Sequence, residues 1–247
     1  MRETLYGRQA VRESLRAGRR TPHRLLLAEG LDAAPILEAI VAQARERGVP
    51  VVTQTRGALD QAIGHAHHQG VVLETSPYPY ATIDALLHLA QARQEPPFLL
   101  LLDLVQDVHN LGSLLRTAEA VGVHGVILQK RRAAEITPAA VNTSSGAAEH
   151  LRVAQVTNLA REISRLKDAE VWVAGLEDAP GAQHYTQANL TGPLAIVVGS
   201  EGEGLRRLVR ERCDWLMAIP MRGQIESLNA AIAGSLALYE ALRQRQK

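Results

Sequence analysis

The side chains of this chain best placed to do chemistry sit in three stretches: Asn110-Leu-Gly-Ser-Leu-Leu-Arg116-Thr-Ala, Gly199-Ser-Glu-Gly-Glu-Gly-Leu205 and Ile219-Pro-Met-Arg-Gly-Gln-Ile-Glu-Ser-Leu-Asn229. Each sets small or backbone-exposing residues beside a few polar side chains at the end of a predicted strand, where open α/β sheets hold their ligands. That combination favours an enzyme.

The loop Gly199 to Gly204 leaves a strand and enters a helix, so its amide groups are available to a polar ligand through the backbone. It matches neither the dinucleotide pattern G-x-G-x-x-G followed by an acid nor the G-K-[ST] of a P-loop. Glu201 and Glu203 would repel phosphate, which favours a cationic or hydroxyl-rich ligand; taken alone, a glycine-rich turn is more often structural. Ser227 is read as N-cap of the closing helix, with Asn229, a poor helix former, in the first turn beside the loop's cavity. Arg116 falls one residue off the buried face of its helix and projects past the sheet edge near Asn110. Gly112, four residues earlier, offers it no carboxylate, and a solvated arginine is the ordinary alternative. His65, His67 and His68 lack a second ligand pair, so no metal site is expected. Cys213 reads as a small buried hydrophobe rather than a nucleophile.

These residues need a scaffold, and 247 residues with 46% hydrophobic content suffice for two modest domains. Only 3% are aromatic, so the cores are built from Ala, Val, Leu and Ile, which suits parallel sheets covered by helices. A single cysteine excludes an internal disulfide and fits a reducing, cytoplasmic setting. The charged N-terminus does not read as a signal peptide, and the longest apolar run, Phe98 to Leu102, is too short to span a bilayer. Net charge is +1, yet residues 1–24 hold seven arginines against Glu3 and Glu13, which makes a local basic face available.

The spacing predicts one helix over residues 3–17, with Arg8, Arg12 and Arg16 on its outer side. Strands follow at 24–28, 49–53 and 70–74, alternating with helices at 33–47 and 56–63. The prolines around Ser76 to Tyr80 and Glu95 to Pro97 flank a short helix and read as a hinge, giving domains at 1–76 and 98–247 with a linker at 77–97. The second domain alternates strands (98–103, 125–129, 171–174, 194–199, 215–219) with helices (111–121, 158–166, 205–212 and 227 onward), a parallel sheet buried on both faces. In the last helix Leu228, Ala231, Ile232, Ser235, Tyr239 and Leu242 form one stripe.

Together the three stretches resemble the motifs of the SpoU (TrmH-type) family of RNA ribose 2′-O-methyltransferases in the SPOUT superfamily. N-x-G-x-x-x-R-T-A, G-S-E-G-E-G-L and I-P-M-x-G-x-x-x-S-L-N occur in the family's order between Phe98 and about Arg243. Leu5-Tyr-Gly-Arg-Gln-Ala-Val11 and His68-Gln-Gly-Val-Val-Leu73 are similar to the L30e-like RNA-binding domain of members that methylate a guanosine in 23S ribosomal RNA. Val108 departs from the pattern, which has proline there.

The resemblance implies an α/β catalytic domain tied in a deep trefoil knot, which periodicity alone would never suggest, and a homodimer formed through that domain, with the stripe of the final helix in the interface. It implies S-adenosylmethionine held by main-chain groups of Gly199, Ile219 and Leu228 with Met221 nearby, and puts Asn110, Arg116, Glu201, Ser227 and Asn229 on the catalytic positions. A guanidinium, with a reference pKa of about 12.5 to 13.8, is a poor base at neutral pH. Arg116 is therefore expected to clamp the phosphate beside the target ribose while a water or another group takes the proton. Arg8, Arg12 and Arg16 are expected to contact RNA phosphates without reading bases. A guanosine in transfer RNA is the nearest rival substrate. A non-catalytic ribosome-associated RNA-binding protein would lack the motif polar residues, all of which are present, and a nicotinamide oxidoreductase would need the absent fingerprint.

Overall fold

A computed structural model describes residues 2–246, which divide into two compact units. The first holds β1 (Glu3–Tyr6), α1 (Arg8–Ala17), β2 (Pro22–Ala28), α2 (Pro35–Glu46), β3 (Val51–Gln54), α3 (Arg56–Ile63) and β4 (Val71–Thr75), in a sheet ordered β1-β4-β2-β3. The second begins with α4 (Ile83–Arg93), β5 (Phe98–Leu102), α5 (Val108–Ala120) and β6 (Gly125–Gln129). The chain then returns to the first unit for α6 (Pro138–Thr143) and a 3₁₀ turn at Ala147–Glu149. The second unit is completed by β7 (Val153–Val156), α7 (Leu159–Asp168), β8 (Trp172–Leu176), β9 (Gln183–His184), β10 (Leu194–Val198), α8 (Arg207–Arg212), β11 (Trp215–Ala218) and α9 (Ala230–Arg245).

The expected helix over 3–17 is instead a strand and a helix. Leu5 is fully buried opposite Leu73 in the antiparallel β1/β4 pair, and Gly7, at φ +88°, turns the chain before α1 starts. The domain limits also differ from the sequence reading. Residues 80–97 carry α4 within the second unit, and residues 136–150 pack with the first. Buried Arg20 explains the latter: it meets Glu149 at 2.9 Å and Glu3 at 2.6 Å, both inside the first unit. Residues 1–24 consequently do not form one basic face, since Arg20 is buried and Arg24 pairs with Glu74.

In the second unit a seven-stranded sheet runs β7-β6-β5-β10-β8-β11-β9, with every neighbouring pair parallel. Every residue of β5, β6 and β10 is buried, as expected of aliphatic strands covered on both faces. β10 enters between β5 and β8, two strands laid down before it. α9 packs closely because Gly234 has no side chain: a Cβ there would meet Leu114 at 2.6 Å and Val198 at 3.0 Å. Thr117 and Ser235 add a hydroxyl pair at 2.8 Å between α5 and α9.

Candidate active site

The C-terminal ends of β8, β10 and β11, marked by Leu176, Val198 and Ala218, open into a cleft of about 320 Å³. Its walls are the loop Gly199–Gly204 and the segment that follows β11, including Ile219, Met221, Ser227 and Leu228. Four residues that the resemblance assigns to the cofactor thus line one cavity, of a size that holds small ligands. Glu177, Asp178, Glu201, Glu203 and Glu226 also line it. Glu177 is paired with Arg210 at 3.1 Å, and the remaining carboxylates favour a cationic guest.

Loop closure demands glycine at 199. A Cβ there would lie 2.3–2.7 Å from the backbone of Gly204 and Leu205, where Ser200 and Gly204 exchange main-chain hydrogen bonds at 3.2 and 3.1 Å. The far end of the loop is fastened by Asp103, which is fully buried and accepts from Arg206 N at 2.9 Å and Arg206 Nε at 2.8 Å. Sequence reasoning missed Asp103; its signal is a lone acid ending a five-residue aliphatic strand, which must find a partner when buried.

Asn229 joins the three stretches. Its Nδ2 donates to Asn110 Oδ1 at 2.8 Å and to Glu201 Oε1 at 2.5 Å, while its Oδ1 accepts from Ala231 N and Ile232 N. Asn110 in turn is set by Asp107, the N-cap of α5, whose carboxylate accepts from Asn110 N at 3.0 Å. Val108 takes the first helical position, where proline would also fit, so this departure from the motif leaves the cap intact.

Asn229, not Ser227, is therefore the N-cap of the closing helix, and α9 begins at Ala230. Ser227, two residues earlier, lines the cleft as an exposed residue. The expected stripe is divided accordingly: Leu228 lies before the helix, Ala231 is buried, and Ile232 and Tyr239 are more than half exposed. The inward face is instead Gly234, Ala237, Leu238 and Ala241.

Arg116 is exposed on α5, about 9 Å along the axis from Asn110, and is not among the residues lining the cleft. Arg8, Arg12 and Arg16 lie on α1; Arg12 meets Glu13 at 2.8 Å and Arg16 meets it at 3.6 Å, so part of their charge is offset within the helix. Among the described residues no His, Cys, Asp or Glu group is arranged for a metal, and no helix is long and apolar enough to cross a membrane. Cys213 packs beside the aliphatic core with its thiol pushed up to about 12, chiefly by burial and then by Asp214.

Comparison with known proteins agrees with this architecture. The SpoU rRNA methylase family model matches residues 97–239, and a model for RNA 2′-O ribose methyltransferase substrate binding matches residues 4–81. The chain is 41% identical over 239 residues to a Bacillus subtilis protein named for the TrmH family of tRNA/rRNA methyltransferases, covering 97% of this chain and 94% of that one. A Staphylococcus aureus protein of the same description is 43% identical over 241 residues, covering 98% and 96%. In fold, the chain is similar to the SpoU methyltransferase AviRb from Streptomyces viridochromogenes, solved with AdoMet, at a TM-score of 0.81 and 23% identity over 99% of this chain and 91% of that one. Residues 4–81 thus match a substrate-binding module and residues 97–239 a SpoU methylase domain. The chain belongs to the SpoU/TrmH family of RNA methyltransferases.

Proposed function

We propose that this protein transfers a methyl group from S-adenosylmethionine to the ribose 2′-oxygen of a guanosine in 23S ribosomal RNA, in the cytoplasm. The observation that carries this reading is Asn229 bonded at once to Asn110 and Glu201, beside a cleft lined by Gly199, Ile219, Met221 and Leu228. That cleft suits the cofactor chemically, with exposed main chain at a glycine-rich turn, apolar side chains for an adenosyl group and carboxylates for a sulfonium. When bound, S-adenosylmethionine supplies an electrophilic methyl.

In this reading Gly199, Ile219 and Leu228 hold the cofactor by main-chain groups, and Met221 contacts it. Asn110, Glu201 and Asn229 fix the ribose, and Ser227 orients the loop. Arg116 grips the phosphate beside the target and stabilises the developing alkoxide, and the proton leaves to water. Orientation of the nucleophile in line with the methyl then supplies much of the rate. The division of labour assigns RNA binding to the first unit, with Arg8, Arg12 and Arg16 on phosphates, and catalysis to the second. The late entry of β10 between β5 and β8 is where we read the trefoil knot.

We further read the protein as a homodimer. Between α5 and α9 lies an open hollow of about 500 Å³ lined by Ser113, Ile232, Leu236 and Tyr239 and reaching Asn229, so a second copy covering it would also border the site.

Incubation with labelled methyl donor and separate ribosomal and transfer RNA pools, followed by mapping of alkali-resistant linkages, tests the substrate. Label confined to one guanosine of 23S RNA is the expected result. Label confined to transfer RNA transfers the reading to that substrate, which the relatives' names also cover, and label in neither pool defeats it. Arg116→Lys keeps the charge but loses the planar fork, so near-normal turnover in that variant removes the phosphate clamp.

A further inference from the structure

The three clustered histidines after α3 divide into one that builds the fold and two that do not. His68 is buried and used at both ring nitrogens: Gly70 N donates to Nδ1 at 2.8 Å, and Nε2 meets Asp60 Oδ1 at 3.0 Å. His65 is half-buried and His67 exposed, with ring centroids 5.5 Å apart and planes inclined by 40°. Tyr6 meets His65 edge-on at 4.5 Å, and is itself packed against the buried cluster of Leu26, Ala28, Leu59 and Val72. Three rings therefore run outward from the core in a chain only 3% aromatic.

The corner that carries them is fixed by hydrogen bonds. His67 N donates to His65 Nδ1 at 3.2 Å, leaving Nε2 as the nitrogen that bears the proton in the neutral ring. Arg8 ties the turn to the start of α1, with its N–H donating to Gln69 Oε1 at 3.0 Å and its Nε to Gln69 O at 3.2 Å. Asn142 Nδ2 donates to Tyr6 O at 3.0 Å. Two rings on a turn whose Gln69 is bonded by a guanidinium match a flat base attached to an anionic backbone: unpaired nucleotides stack on histidine and tyrosine, whereas bases within a regular duplex are already stacked.

We propose that His65 and His67, braced by Tyr6, form a stacking platform for an unpaired base of the RNA substrate, with Arg8 on the adjoining phosphate. This rests on the reading of the chain as an RNA methyltransferase, and specifies looped or single-stranded RNA as what the first unit grips. The test uses the full-length chain and a short oligoadenylate carrying one 2-aminopurine, against a fully paired RNA duplex of equal length. Expected are quenching of the 2-aminopurine and tighter binding of the single strand. The double variant His65→Ala/His67→Ala should weaken that binding by roughly 5- to 150-fold per stacked base, with S-adenosylmethionine affinity unchanged and the circular dichroism spectrum that of the parent. His65→Phe/His67→Phe, which keeps the rings, should restore it.

Unchanged binding in the alanine variant, equal affinity for duplex, or a phenylalanine variant as weak as the alanine one would each overturn the platform. Methyl transfer by the parent chain is assayed alongside. Ring-dependent quenching without methyl transfer would leave the platform standing and remove the activity, and methyl transfer with ring-independent binding would do the reverse.

Discussion

Asn229 performs two tasks through two atoms, and they can be separated. Oδ1 caps α9, while Nδ2 links Asn110 to Glu201. Asn229→Ser retains a capping oxygen but no donor that reaches both partners, so its melting temperature should stay within about 2 °C of the parent while methyl transfer falls by about 10- to 100-fold. Asn229→Ala loses the cap as well, costing about 1 kcal/mol and hence a further 2–4 °C in a chain of this size. Calorimetry and a methyl-transfer assay on both variants check this; full activity in the serine variant would reduce Asn229 to a cap. At Cys213 the thiol's rise to about 12 leaves on the order of one thiolate in ten thousand at pH 8. Iodoacetamide should therefore spare it in the folded chain and label it after unfolding, as mass spectrometry would show.

At the level of the element, α1 is held by Glu13, whose carboxyl is nearly buried on the helix's inner side. Burial alone would raise its pKa, but hydrogen bonds from His150 and Arg12 outweigh it and hold the carboxyl below its usual value of 4.5. A depressed acid stabilises the fold above its unfolded pKa and ceases to do so as pH falls through the folded one. Thermal melts between pH 3 and pH 6 should thus steepen downward below about pH 4.5, and Glu13→Gln should flatten that limb while lowering the melting temperature at neutral pH. An acid limb unchanged by the substitution would place the titrating group elsewhere.

Across the whole molecule, residues 136–150 belong by packing to a unit that is distant in sequence, and the Arg20–Glu149 pair is what anchors them, both side chains being 1% exposed. Glu149→Gln leaves Arg20 its bond to Glu3 at 2.6 Å but removes the bidentate partner, so it should cost about 1.5–3 kcal/mol, a fall of roughly 3–12 °C. Arg20→Met with Glu149→Leu should recover most of it, since a well-packed apolar pair can replace a buried ion pair. A fall no larger than that of an exposed pair would show that Arg20 is solvated. The proposed dimer is testable at this scale too. Ile232→Glu with Tyr239→Arg should shift the mass measured by light scattering from two chains to one, and an unchanged mass would locate the contact elsewhere.

The sequence by itself determined most of the alternation of strands and helices, because apolar runs such as Phe98–Leu102 and Leu194–Val198, each preceded by proline, are too short for helices and fit buried strands, and it marked the three polar stretches by residue type and spacing. A short-range signal existed even for α6, where Thr137 caps and Pro138 opens the helix. What local pattern could not supply was anything set by partners far along the chain. Leu5 fits helical spacing as well as a strand until Leu73 is beside it, and Ser227 looks as good a cap as Asn229 until α9 settles by way of Gly234 onto Leu114 and Val198. Asp103 and Glu149 likewise look like ordinary acids until burial forces each to find an arginine. Tertiary structure decided those positions because the free energy of burying a polar group depends on which residue from elsewhere arrives to pair with it.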